Sequence, residues 1–324
     1  MTFRIRRAGH VVLRVTDVDR MKVFLEKIVG FTTYGKVGQN FYFLTSHPVT
    51  NHHMIAVRSG KPGERLPDAE HQIGMVSIAY EMADLAALRD LHQRMSGAAS
   101  RYGWRIVARE DRSSIRNLIA SDPDGNRYEF WAQSPGSAKA IEGELKLRGE
   151  ADLSQGAMGD APAPPLPPSK LALRRTSHLT LRCRDLAKTR AFYERALGLF
   201  AIAEDERPRY YFSGDPQTRR PVLALEAATD PNAPIPTPQA MYGMEHFSLE
   251  IGSFVELQEI YRRFKSLGVT IDHTQDHGVT ASVYFRDPDG NLMEVYHDVP
   301  RAEIPVPEDP FASFGGIEER LEAS

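Results

Sequence analysis

An α+β fold of four β-α-β-β-β units, arranged as two tandem domains, is predicted by three observations. The text Asp-Pro-Asp-Gly-Asn occurs twice, at 122–126 and 287–291, and each copy is followed by a Glu among apolar residues, Glu129 and Glu294. Four segments pass from an alternating strand through a turn into an amphipathic helix. Between the second and third of them lies a Pro-, Ala- and Gly-rich stretch, 154–170, that can continue neither a helix nor a central strand.

Taken in order, the first unit reads strand, turn, helix and Gly in "GHVVLRVTDVDRMKVFLEKIVGFTTYG", followed by strands "NFYFLTS" and "HHMIAVR". The second opens at "GMVSIAYEMADLAALRDLHQRM" and ends in "NLIASDPDGNRYEFWA". The third is "SHLTLRCRDLAKTRAFYERALGLF", whose helix carries Leu186, Phe192, Tyr193, Ala196 and Leu197 on one face and stops at Gly198, with strands "RYYFSG" and "PVLALEA" after it. The fourth is "GMEHFSLEIGSFVELQEIYRRFKSLGVTI", with Gly268 closing the helix, and it ends in strands around the second Asp-Pro-Asp-Gly turn. Hairpins outnumber helices too heavily for a doubly wound parallel sheet. The expected division is 1–150 for the N-terminal domain, 151–170 for the linker, 171–300 for the C-terminal domain and 301–324 for a tail.

Composition narrows the function classes. A net charge of −3 and a pI near 6.4 give no electrostatic case for nucleic acid or anionic membrane. The single cysteine, Cys183, excludes an internal disulfide and any Cys-rich metal site, and suits a reducing compartment. No apolar run reaches the roughly 20 residues that span a bilayer. The expectation is a cytoplasmic protein without membrane or nucleic-acid partners.

The repeated units, the endings "SDPDGNRYEF" and "RDPDGNLMEV", and "YERALGL" in the third unit resemble the vicinal oxygen chelate superfamily. That superfamily comprises glyoxalases, bleomycin-resistance proteins and two-domain extradiol ring-cleaving dioxygenases. The resemblance implies that paired units curl into curved mixed sheets with the helices outside. Carried over from the dioxygenases, the metal ligands fall on His178 in "TSHLTLR", His246 in "GMEHFSLE" and Glu294 in "NLMEVYH". Strand alternation puts His178 with Thr180 and Arg182, and His246 with Ser248 and Glu250, on faces opposite their Leu and Phe neighbours. Two imidazoles and a carboxylate with open positions suit non-haem Fe(II), with Mn(II) as the alternative ion.

The N-terminal half matches at His10 and Glu129 but offers only Met75, Val76 and Ser77 where His246 has its counterpart. Some hydroquinone-cleaving members draw their first His from the N-terminal unit, and His10 would then replace His178. The long linker favours pairing within each half, hence His178 and a C-terminal catalytic domain. The resemblance further implies that His277 and Tyr284 act beside the substrate hydroxyls. Arg220, Tyr242 and His273 are expected near the substrate. Where many extradiol enzymes carry a catalytic His in unit three, this chain has Pro221, whereas unit one keeps "NHHMIAV" with His52 and His53. The implied activity is Fe(II)-dependent extradiol cleavage of an aromatic diol with O₂ by a homo-oligomeric enzyme. The competing readings are a glyoxalase-like lyase or isomerase, with Glu226 as a second carboxylate ligand, and a non-catalytic binding protein.

Overall fold

A computed structural model describes residues 4–46, 53–68, 71–112, 114–134, 143–145, 147–153, 173–205, 209–234, 243–299 and 315–323. Unit one comprises β1 (Arg7–Val15), α1 (Val18–Phe24), which runs on into a π-helical turn at Leu25–Val29, β2 (Thr32–Val37), β3 (Phe41–Thr45) and β4 (Ile55–Ser59). Unit two comprises β5 (Gly74–Met82), α2 (Leu85–Ala98), β6 (Arg105–Arg112), β7 (Ile115–Ser121) and β8 (Arg127–Gln133), and the short strands β9 (Gly143–Leu145) and β10 (Leu147–Glu150) follow it. Unit three holds β11 (Leu173–Cys183), α3 (Leu186–Leu197), β12 (Phe200–Asp205), β13 (Arg209–Ser213) and β14 (Leu223–Ala227). Unit four holds β15 (Gly243–Glu250), α4 (Phe254–Leu267), β16 (Ile271–Asp276), β17 (Thr280–Arg286) and β18 (Leu292–Asp298). A last helix, α5 (Glu318–Glu322), buries Ile317 and Leu321.

The helix ends follow local chemistry. Asp17, Asp185 and Ser253 cap α1, α3 and α4 by accepting the N–H three residues on. Gly198 and Gly268 close α3 and α4 in the left-handed conformation, at φ 67° in both cases.

Sheet pairing differs from the expected tandem division. The eight-stranded sheet has the order β16-β17-β18-β15-β1-β4-β3-β2, and the ten-stranded sheet β10-β6-β7-β8-β5-β11-β14-β13-β12-β9. Unit one therefore completes its sheet with unit four, through antiparallel β1 and β15, and unit two with unit three, through β5 and β11. The expectation that each half closes its own sheet, with a self-contained catalytic domain at 171–300, is corrected by this crossing. Of the predicted linker only 151–153 is described; Ala151 donates its N–H to Arg109 O and is buried with Leu153.

The halves are nevertheless tied internally, and the repeated turn does the tying. In the first copy Asp122 accepts from the N–H groups of Asp124 and Asn126, from Asn126 Nδ2 at 2.8 Å and from Tyr128 OH at 3.1 Å. Asp124 reaches into unit one and accepts from Thr16 N at 2.8 Å and from its hydroxyl. In the second copy Asp287 accepts from Asp289 N, Asn291 N and Asn291 Nδ2, and also from Tyr193 OH of α3 at 3.0 Å. Asp289 accepts from Arg184 N and from Thr189 Oγ1 at 3.2 Å. Each turn thus locks its own hairpin and clamps the strand–helix corner of the neighbouring unit.

Replacing Asp122 by Ala leaves buried donors unpaired, at a cost of about 3 kcal/mol. The expected result is a fall in Tm of about 6–12 °C, read by calorimetry; an unchanged Tm would refute the hairpin lock.

Candidate metal centre

Irregularities in the β1–β15 seam bring the functional side chains to one face. The register passes from Ala8↔Leu249 to Val11↔Phe247, which leaves Gly9 and His10 as a bulge on β1. Ser248 fixes that bulge from across the seam: its hydroxyl accepts from His10 N–H at 2.6 Å and donates to His10 O at 3.1 Å. Position 9 admits only glycine, because a Cβ there would overlap the Tyr296 ring and the Ser248 hydroxyl. A second bulge, between Val12↔His246 and Leu13↔Met244, falls at Glu245.

His10, His246 and Glu294 converge. Their ligand atoms all lie within 4.8 Å of one another. Glu294 Oε2 lies 3.0 Å from His10 Nε2 and 3.4 Å from His246 Nε2. Glu294 sits on β18, which runs parallel to β15 with Ser248 opposite Glu294. Burial alone would push its carboxyl up, but the charge and hydrogen bond of His10, joined by those of His246, hold it well below the usual carboxylate range. A buried carboxylate between two imidazole nitrogens is a donor set that fits a divalent cation with positions left open. His10, expected only as a substitute for His178, is the first member of the cluster.

These residues line a cavity of ≈ 260 Å³. Unit one contributes Val12, Val37, Phe41, Phe43 and His53; unit four contributes Glu245, His273, His277, Thr280 and Tyr284. His53 is buried, its ring 3.9 Å from that of His10 and 5.0 Å from that of Phe43. His277 Nε2 and Tyr284 OH are 3.2 Å apart, and Tyr284 is the direct cross-strand partner of Glu294. Burial lowers the His277 pKa, which favours neutral imidazole; burial and the nearby Glu294 raise that of Tyr284 well above 10, so its phenol keeps its proton. His273 stacks on the Tyr284 ring at 4.1 Å and 9°.

The predicted residues therefore divide. His246, Glu294, His277, Tyr284 and His273 lie together in the cavity. His178 does not join them. It lies on β11 of the ten-stranded sheet, opposite Ala79 of β5, with its Nδ1 3.0 Å from Ser177 Oγ and its ring against Tyr211. The physical reason is the crossed pairing, which gives unit four the first strand of unit one as its neighbour. Arg220 is exposed in the loop between β13 and β14 of that other sheet. Tyr242 lies outside the described residues. His53 and Glu245 were not expected at the site; the text "HHMIAV" was the available signal for His53, whereas a bulge leaves none for Glu245.

The corresponding face of the ten-stranded sheet carries a different set of polar contacts. Ser77 stands where His246 stands, and its hydroxyl donates to Glu129 at 2.5 Å. Arg209 lies 3.5 Å from Glu129 and 2.8 Å from Glu226. Glu226, the suggested second carboxylate ligand, is thus engaged by Arg209 and by Arg182 at 2.7 Å in the wrong sheet.

The sequence profile of the Glyoxalase/Bleomycin resistance protein/Dioxygenase superfamily matches residues 7–130 and 175–295, and the chain belongs to that superfamily. Among curated relatives, a catechol-2,3-dioxygenase of Bacillus subtilis (strain 168) is 30% identical over 122 residues, which is 38% of this chain and 41% of the relative. The biphenyl-2,3-diol 1,2-dioxygenase 3 of Rhodococcus globerulus is 27% identical over 38% of this chain and 63% of its own length. The chain thus spans less than two thirds of these relatives. Among solved structures, glyoxalase I from Zea mays superposes with a TM-score of 0.55 at 17% identity, over 90% of this chain and 92% of that one. A Bacillus subtilis structure with a provisional dioxygenase assignment gives 0.65 at 15% identity, over 92% and 86%. At these identities the structures share the fold.

Two outcomes are expected. His10→Ala should abolish stoichiometric Fe(II) binding under argon, whereas His178→Ala and Glu129→Ala should retain it; equal losses in all three would refute the crossed site. Burial lowers the His178 pKa to about 4, below the 6.5 of an ordinary histidine. Its stabilising contribution is therefore complete above about pH 6.5 and lost as pH falls towards about 4, amounting to about 3 kcal/mol. Wild type should lose more Tm than His178→Gln across that window, and parallel curves would contradict the assignment.

Proposed function

We propose that the protein is an extradiol ring-cleaving dioxygenase acting on an aromatic diol with O₂, with Fe(II), or Mn(II) in its place, held by His10, His246 and Glu294. The observation that carries this reading is the grouping of those three donors in a largely apolar cavity that His53, His277 and Tyr284 also line. When bound, such an ion supplies a centre at which diol and O₂ meet and exchange electrons.

The protein's own residues do the rest. His53, beside His10, is placed to take a proton from one diol hydroxyl and return it to oxygen later in the reaction. It occupies in unit one the place that Pro221 holds in unit three, so the catalytic His missing from unit three is supplied by unit one. Tyr284, kept protonated, donates a hydrogen bond to a diolate oxygen, and neutral His277 orients that phenol. The Val37, Phe41 and Phe43 wall excludes water from the ring and strengthens these interactions.

A glyoxalase-like isomerase is the second reading. It would require a further carboxylate ligand, but the position in β4 that corresponds to Glu226 holds Arg58, each being paired with the matching Arg of its neighbour, Arg14↔Arg58 and Arg182↔Glu226. A non-catalytic binding protein would have no use for the three converging donors.

The test is anaerobic reconstitution with Fe(II), followed by O₂ uptake with a panel of catechols. Stoichiometric uptake with a yellow ring-fission product is expected. Bound zinc or nickel, no O₂ uptake and activity on a thiol adduct would overturn the assignment. His53→Phe should retain the metal but lose activity by about 10²–10⁴-fold, the usual worth of a positioned proton-transfer group.

A further inference from the structure

We propose that Glu245 is a specificity-determining residue that confines the cavity to uncharged aromatic diols and rejects those bearing a carboxylate. This rests on the diol reading above and narrows it. Among the described residues lining the cavity there are two carboxylates, Glu245 and Glu294, and no Lys or Arg. Regular pleating would turn Glu245 to the face opposite His246; the bulge between Val12↔His246 and Leu13↔Met244 brings both to the cavity.

The cation paired with Glu245 is Arg58, and it is thereby engaged. Its Nη1 lies 3.1 Å from Glu245 Oε1, and its guanidinium sits over the Phe41 ring at 5.5 Å. Arg58 is held by Glu245 and Phe41 and does not itself line the cavity, so the charge that faces an entering substituent is the Glu245 carboxylate. A carboxylate entering between Phe41 and Glu245 would lose its hydration against an apolar wall and meet a like charge, with no Lys or Arg among the described lining residues to compensate. An apolar or hydrogen substituent meets neither obstacle.

The other sheet supplies the contrast. It carries the same bulge, between Thr180↔Ser77 and Leu181↔Met75, with Val76 in the place of Glu245. Arg209 holds the place of Phe41 there, opposite Glu226, and the two form an ion pair. The acid at 245 thus belongs to the eight-stranded sheet and is not imposed by the bulge.

The experiment uses the Fe(II)-loaded full chain under argon, with 4-nitrocatechol as a spectroscopic probe displaced by 4-methylcatechol or by 3,4-dihydroxybenzoate. Wild type should favour 4-methylcatechol by about 100-fold or more. Glu245→Gln keeps the shape, removes the charge and frees Arg58, and should narrow the preference at least about 10-fold through tighter 3,4-dihydroxybenzoate binding. Adding Arg58→Met to that variant should abolish the gain, which a general loosening of the cavity would not do. Equal preference in wild type and Glu245→Gln, with diols still bound, would overturn the role of Glu245 alone. Failure of any diol to displace the probe from wild type would overturn the dioxygenase reading and this proposal together.

Discussion

The antiparallel seam between β1 and β15 is the contact on which the rest depends. It joins the first unit to the last, and the two hydrogen bonds between Ser248 and the His10 backbone fix the bulge that aims His10 at Glu294. Backbone pairing in that seam is ordinary, but its irregularities are specific. One presents an imidazole and the other a carboxylate to the same hollow. A regular ladder with the same residues would send Glu245 to the opposite face.

Two sheets of one plan have opposite contents. In the eight-stranded sheet, Phe41 and Arg58 stack at one end and leave space above the histidines. In the ten-stranded sheet the matching positions are Arg209 and Glu226, which join as an ion pair. Arg209 next to Glu129 places a fixed cation against the carboxylate that corresponds to Glu294. The duplicated scaffold thus gathers metal donors in one copy and an ion-paired cluster in the other through a few exchanges at equivalent positions.

Much of this was legible in the sequence because it is local. Strand and helix periodicities, glycine stops and the Asp-Pro-Asp-Gly-Asn turns mark four units, and alternation puts His246 and Glu294 on polar faces. What stayed hidden is which unit meets which. Joining β1 to β15 rather than to β5 closes a longer loop, yet chain entropy disfavours the longer closure by only roughly 1 kcal/mol. The linker argument that favoured His178 rested on that weak term. The role of His53 was hidden by the same choice, and that of Glu245 by a bulge that leaves no trace in composition or period. The turn text marks hairpins, and nothing in it reveals that Asp124 and Asp289 also bind the neighbouring unit.

The crossed seam has a consequence for synthesis. His10 leaves the ribosome early and Glu294 late, so at ordinary elongation rates tens of seconds separate them. During that interval β1 has no β15 beside it and presents an open strand edge, the kind of surface that invites mispairing. The ten-stranded sheet, whose units two and three are consecutive, can close first and act as a platform for the waiting strand. The ten-stranded sheet would then serve as a scaffold in time as well as in space, because the eight-stranded sheet cannot be completed until β18 has been made.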